Sequence, residues 1–69
     1  MKRFFIGGVA KRFNLNPRTI RYYERIGILP KAGRTESGYR IYTGEAIKIL
    51  EFILRAKTLG LKLDEIKEI

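Results

Sequence analysis

The stretch Asn16-Pro17-Arg18-Thr19-Ile20-Arg21-Tyr22-Tyr23-Glu24-Arg25 decides how the rest of this chain is read. Asn16 offers the side-chain acceptor favoured at an N-cap, and Pro17 at the first helical position gives up an N–H that has no helical partner. A helix is therefore predicted over residues 17–26. At about 100° per residue, Arg18, Arg21, Tyr22 and Arg25 share an arc of roughly 100°, with Ile20 and Tyr23 opposite and Thr19 at the margin. Guanidinium groups on such a face can span guanine O6 and N7, and a phenol can reach a phosphate or cover a thymine methyl. The bland alternative is a solvated basic face, and the flanking sequence weighs against it.

Upstream, Ile6, Val9, Ala10 and Phe13 follow helical spacing and predict a first helix over residues 7–13. Asn14 tolerates the left-handed conformation that stops a helix, and Leu15 can plug the turn. Two helices joined this closely make a helix-turn-helix, whose second helix is the reading element in the DNA-binding version. Downstream, Gly27 closes the second helix, and Ile28-Leu29 before Pro30 carries the chain back across apolar surface.

Residues 31–43 change texture. Gly33, Ser37-Gly38 and the alternating Tyr39, Arg40, Ile41 and Tyr42 predict a two-stranded hairpin turning near residues 36–38. An isolated hairpin is marginal, so this one must lean on the helices through Ile41 and one or both tyrosines. Alternation puts Tyr39 and Tyr42 on opposite faces; one of them packs, and spacing leaves open which. Arg34, Tyr39 and Arg40 are the residues this wing could bring to a DNA backbone or minor groove, against the alternative of a solvated turn.

Thr43 is the expected N-cap of a third helix over residues 44–59, stopped by Gly60. Its apolar arc is wide, including Ile47, Leu50, Ile53 and Ala56 but also Phe52 and Leu59. Glu51 and Arg55 in the narrow polar stripe are spaced for an i, i+4 pair. Such a helix packs centrally or keeps a second face for something outside this chain. A fourth amphipathic helix is predicted over residues 64–69.

Sixty-nine residues suffice for one small domain, and a 45% apolar share argues for a folded one. The net charge of +8 is uneven: residues 1–44 hold ten Lys or Arg against Glu24 and Glu36, while residues 45–69 hold five of each sign. That asymmetry suits a nucleic-acid surface on a neutral scaffold, because phosphate contact releases counterions. With no cysteine or histidine, disulfides and the usual zinc sites are excluded, and the reading is of a binding protein without cofactor and not of an enzyme. Lys2-Arg3 followed by Phe4 to Ala10 has the outline of a secretory signal. The apolar run is short, holds two glycines and is cut by Lys11-Arg12, so the expectation is a cytoplasmic protein. Nothing approaches the roughly 20 apolar residues of a membrane span.

Four fragments in order then carry a resemblance: Thr19 to Glu24, Gly27 to Pro30, Arg34 to Tyr42 and Arg55 to Ile66. Together they resemble the MerR family of bacterial transcription regulators over essentially the whole chain. The resemblance implies a mainly α fold with a small β wing. A winged helix-turn-helix over about residues 6–43 is followed by a second helix pair over about 44–69. Arg18, Arg21, Tyr22 and Tyr23 correspond to recognition-helix contacts in the major groove, joined by Arg25 from the same helical face. Arg34, Tyr39 and Arg40 correspond to wing contacts and Lys57 to a backbone contact. Tyr23 ranks below Tyr22, because the helical wheel turns its ring to the core and leaves only its hydroxyl for DNA.

Two positions depart from the family's pattern. Asn14 stands where glycine is frequent, and Lys62 stands where a capping Ser or Thr is common before the fourth helix. The latter costs about 0.5–2 kcal/mol if no other group caps, while adding a cation able to meet a phosphate.

Family members continue into a dimerisation helix and an effector domain, both absent from this sequence. In the full arrangement a homodimer binds a palindromic promoter element and acts on RNA polymerase through the distorted DNA. Two rivals remain: a small excisionase-like or architectural DNA-binding protein, and a protein-interaction module using the apolar face of the third helix.

Overall fold

A computed structural model describes residues 3–68. The chain runs β1 (Arg3–Phe5), α1 (Ile6–Phe13), α2 (Pro17–Arg25), β2 (Gly33–Arg34), β3 (Arg40–Thr43), α3 (Gly44–Thr58) and α4 (Leu63–Lys67). It is mainly helical with a small antiparallel sheet, as the sequence predicts, and the helix ends fall within a residue or two of expectation. The end of the fourth predicted helix at Ile69, and Met1 and Lys2, lie outside the described residues.

The helix stops share one local device. Asn14 (φ 54°), Gly27 (φ 83°) and Gly60 (φ 93°) all take the left-handed conformation after a helix. In each case the next residue's N–H closes back on the last turn: Leu15 on Ala10 O, Ile28 on Tyr23 O and Leu61 on Ala56 O. This closure satisfies a carbonyl that a helix end leaves open, and a residue with a bulky Cβ resists the required backbone. The starts are capped as expected: Asn16 Oδ1 accepts from Arg18 N at 2.9 Å and Thr43 Oγ1 from Ala46 N at 3.3 Å. At α4 the N-cap is Lys62, which supplies no side-chain acceptor, but Glu65 Oε1 accepts from Lys62 N at 2.9 Å. One half of a capping box thus offsets part of the expected loss.

The sheet departs from the two-stranded expectation. Its order is β1-β3-β2, because Arg3, Phe4 and Phe5 pair with Thr43, Tyr42 and Ile41. The added strand gives the wing a second partner, so it does not stand as a lone hairpin. The anchoring residues also differ. Tyr42 is buried and Phe4, opposite it, is half-buried against the core, whereas Ile41 belongs to the outward face with Phe5. Tyr42 is therefore the tyrosine that packs, and Ile41, expected to help, alternates away from the helices.

The core is built on α3. Ala46, Ile47, Leu50, Ile53 and Ala56 join Val9 and Ala10 of α1, Ile20 and Tyr23 of α2, Leu29, Tyr42 and Ile66 in one cluster. Phe52 and Leu59 stay exposed, so the core uses only part of the arc. Glu51, expected to pair with Arg55, instead reaches Arg12 of α1 at 3.7 Å. Both groups are about half exposed, and such a pair contributes little.

One polar cluster is built into this core. Glu24, only 7% exposed, accepts from the Ala32 N–H (2.9 Å) and Arg40 Nη1 (3.0 Å) on Oε1, and from the Tyr42 hydroxyl (2.6 Å) on Oε2. Burial first, then the Glu24 carboxylate, pushes the Tyr42 phenol up from 10.0 to about 12. Folded Tyr42 holds its proton more tightly than the unfolded chain does. The stability this contributes is complete below pH 10 and is lost as pH rises towards 12.

Two measurements follow from the packing. Ile53, with no exposed surface, should cost about 2–5 kcal/mol when cut to alanine and about 0.5–1.5 as valine, read by denaturant or thermal unfolding. In an ultraviolet titration, one of the four tyrosines should ionise near pH 12, and Tyr42→Phe should remove that late step. A late step surviving in Tyr42→Phe would assign it to another residue.

Candidate nucleic-acid interface

The cap at Asn16 and the Pro17 start set the rotation of α2, and its faces divide as the spacing predicts. Arg18, Arg21 and Arg25 are exposed and Tyr22 is 41% exposed, while Ile20 and Tyr23 are buried. Arg18, Arg21, Tyr22 and Arg25 line one hollow, which Arg40 of β3 completes. The Arg25 guanidinium lies 5.3 Å from the Tyr22 ring centroid, a cation–π contact that orders both side chains without consuming the guanidinium's donors. Donors on a regular helix hold the geometry that bidentate contact to a base edge demands.

The wing is placed beside this face by Glu24. Its carboxylate binds the loop at Ala32 and the strand at Arg40 and Tyr42, so α2 and β3 are joined by charge-assisted hydrogen bonds. Arg40 is thus partly committed: its Nη1 is on Glu24, and its side chain is 31% exposed at the edge of the hollow. The tip closes through Thr35 N to Tyr39 O (2.9 Å) and Gly38 N to Thr35 O (2.9 Å), which puts the turn where the sequence places it. Arg34 Nη1 donates to Gly38 O at 3.0 Å, steadying an exposed guanidinium on its own turn.

The remaining predicted residues fall elsewhere. Tyr39 is 67% exposed on the outward face of the sheet, edge-on to Phe5 at 6.4 Å, away from the α2 hollow. Tyr23 has its ring in the core, and its hydroxyl accepts from Lys57 Nζ at 3.4 Å. The ammonium also lies 5.9 Å from the centre of that ring, so Lys57 and Tyr23 form one unit joining α3 to α2. Lys62 is exposed at the start of α4, apart from the α2 hollow. The spacing that marks the arginine face passes over Glu24, although the wheel carries a signal: it stands four residues after Ile20, about 40° from it, an acid on the buried side of a basic helix.

The match to known proteins is extensive. The profile of the MerR HTH family regulatory proteins covers residues 4–69. The mercuric resistance operon regulatory protein of Bacillus cereus is 45% identical over 97% of this chain and 51% of its own length. The transcriptional regulator ZntR of Escherichia coli K12 is 42% identical over 93% of this chain and 45% of its own. The chain therefore spans about half the length of these curated relatives.

Solved structures agree. A MerR-family regulator from Bacillus cereus superposes with a TM-score of 0.90 at 33% identity, over 97% of this chain and 50% of that one. HiNmlR, a MerR-family regulator lacking the sensor domain and solved bound to promoter DNA, gives 0.85 at 28% identity, over 97% and 51%. From the capped α2 with its outward arginines, the wing held beside it and these matches, the chain belongs to the MerR HTH family and forms that family's winged helix-turn-helix DNA-binding domain.

Proposed function

We infer that this chain reads one half of a palindromic promoter element, with α2 in the major groove and the wing on the flanking backbone. The observation that carries the reading is the joint surface: an exposed Arg18, Arg21, Tyr22 and Arg25 face held in one orientation to the wing by the buried Glu24. It is supported by the promoter-bound state of a neighbour of the same fold. Arg18 and Arg21 are assigned to base edges, Tyr22 and Arg25 to bases or adjoining phosphates, and Arg34, Lys57 and Lys62 to backbone. Tyr39 serves the outer side of the wing, the Tyr23 hydroxyl acts through Lys57, and Arg40 chiefly positions the wing.

Two half-sites about one helical turn apart need two copies, so the acting form is a homodimer. It meets RNA polymerase through the DNA, in the cytoplasm, on the nucleoid. We assign it neither catalysis nor a resident cofactor, since its chemistry is that of donors and cations arranged for contact. No helix among the described residues is long and apolar enough to cross a membrane. The architectural rival is less well supported, because the family match is to promoter regulators.

The direct test is selection from random duplex DNA by the chain fused to a dimerising leucine zipper. A two-fold symmetric preference should emerge, and Arg21→Ala should relax it at particular positions with a loss of about 1–3 kcal/mol in discrimination. Absence of any preference, or a preference indifferent to Arg21→Ala, would end the base-reading assignment. For Arg40→Ala, equal weakening on selected and random duplexes should accompany a drop in folding stability on the order of 3 kcal/mol, because the Glu24 carboxylate loses its cation. Arg34→Ala, by contrast, should leave the melting temperature nearly unchanged.

A further inference from the structure

Between the end of α2 and the wing lies a notch lined by Arg21, Arg25, Lys31 and Arg34, with Glu24 and Arg40 on its inner side. Its charge is one-sided. The single carboxylate, Glu24, is already bonded to Arg40, Tyr42 and the Ala32 N–H. Four cations therefore face one space with no acid left to balance them.

Two of the four are held by partners that do not neutralise them. Arg34 bonds a carbonyl, Gly38 O, and Arg25 lies over the Tyr22 ring. Among the described residues, Lys31 forms no ion pair. Its backbone is nevertheless restrained on both sides, by the fixed φ of Pro30 and by the Ala32 N–H on Glu24 Oε1 at 2.9 Å. The connection between α2 and β2 thus fixes Lys31 on the wall of the notch.

Crowded like charges in a recess favour an anion with several oxygens, and fixed donors around it lower the ordering cost of binding. The surroundings name the source of that anion. Arg21 and Arg25 line both this notch and the α2 hollow, so the two recesses adjoin, and a duplex seated on α2 carries its own phosphates past the opening.

We propose that the notch seats one phosphodiester of the DNA backbone beside the bases read by α2. Lys31 and Arg34 grip it, and Arg21 and Arg25 form the mouth. The assignment rests on the DNA-reading function above and deepens it by adding Lys31, which lies on neither the reading face of α2 nor the wing turn.

The test is a cycle between protein and DNA. With the zipper-fused chain and the selected duplex, each phosphate in turn is replaced by a neutral methylphosphonate, and affinity is measured for the wild type, Lys31→Ala and Lys31→Arg. At one phosphate per half-site the replacement should weaken the wild type several-fold and weaken Lys31→Ala clearly less, the remaining loss belonging to Arg34, with Lys31→Arg responding like the wild type. The slope of log K against log salt should become shallower by about 0.9 per half-site in Lys31→Ala, on random duplex as well as on the selected one.

Simple additivity at every phosphate, or an unchanged slope, would overturn the seat. So would competition by inorganic phosphate relieved by Lys31→Ala without any effect of Lys31→Ala on duplex binding, which would assign the notch to a free anion. Such failures leave the Arg21-dependent base preference standing and are therefore distinct from failure of the DNA reading. An unchanged melting temperature for Lys31→Ala shows that a lost affinity is not misfolding.

Discussion

The Glu24 carboxylate is the constraint around which this domain is arranged. Taking a carboxylate out of water costs several kcal/mol, and the cost is offset only when its oxygens are fully met by well-placed donors. Here the donors come from three places: the loop at Ala32, the strand at Arg40 and the inward tyrosine at 42. Apolar contacts bring α2 and the sheet together without fixing their angle, since hydrophobic attraction is not directional. Glu24 supplies the direction. The reading helix and the wing consequently behave as one surface, and the loop between them is held in place at its midpoint.

That arrangement divides the wing's residues by strand parity. Inward, Arg40 and Tyr42 serve the network; outward, the exposed Phe5 and Tyr39 make an edge-to-face aromatic contact beside the half-buried Ile41. The wing's stability comes from both sides of β3, through β1 and β2. The basic side chains it presents beside α2 are thereby those of the turn and of the notch. Arg40 illustrates the distinction, since a cation that a motif marks for DNA is also the counter-charge that permits an acid inside the fold.

Charge completes the picture. Of the two acids in the first 44 residues, Glu24 is bound to Arg40 inside the fold and Glu36 is exposed at the wing turn. Most of the basic excess is left uncompensated on the α2 and wing side. The neutral C-terminal part supplies the floor, with α3 packing against the other elements and Lys57 reaching Tyr23. Phe52 and Leu59 remain outside the core, an apolar surface wider than this domain consumes.

Local chemistry made much of this legible. Asn14, Gly27 and Gly60 mark helix stops, and Asn16 and Thr43 mark starts, because a cap or a left-handed residue acts within one turn of chain. The split of α2 into arginine and core faces follows from a period of 3.6 residues, which needs no knowledge of the partner surface. The burial of Glu24 could have been found from the same wheel. What sequence alone left undecided depended on residues far apart in the chain: β1 exists because Phe4 and Phe5 meet Tyr42 and Ile41, and Glu51 turns to Arg12 because the fold brings that end of α1 within reach of α3. Tyr39 and Tyr42 are equivalent by alternation until one of them has a carboxylate from α2 to meet. Periodicity tells a residue which face it is on; only tertiary contact decides which face is inside and which charge is left free.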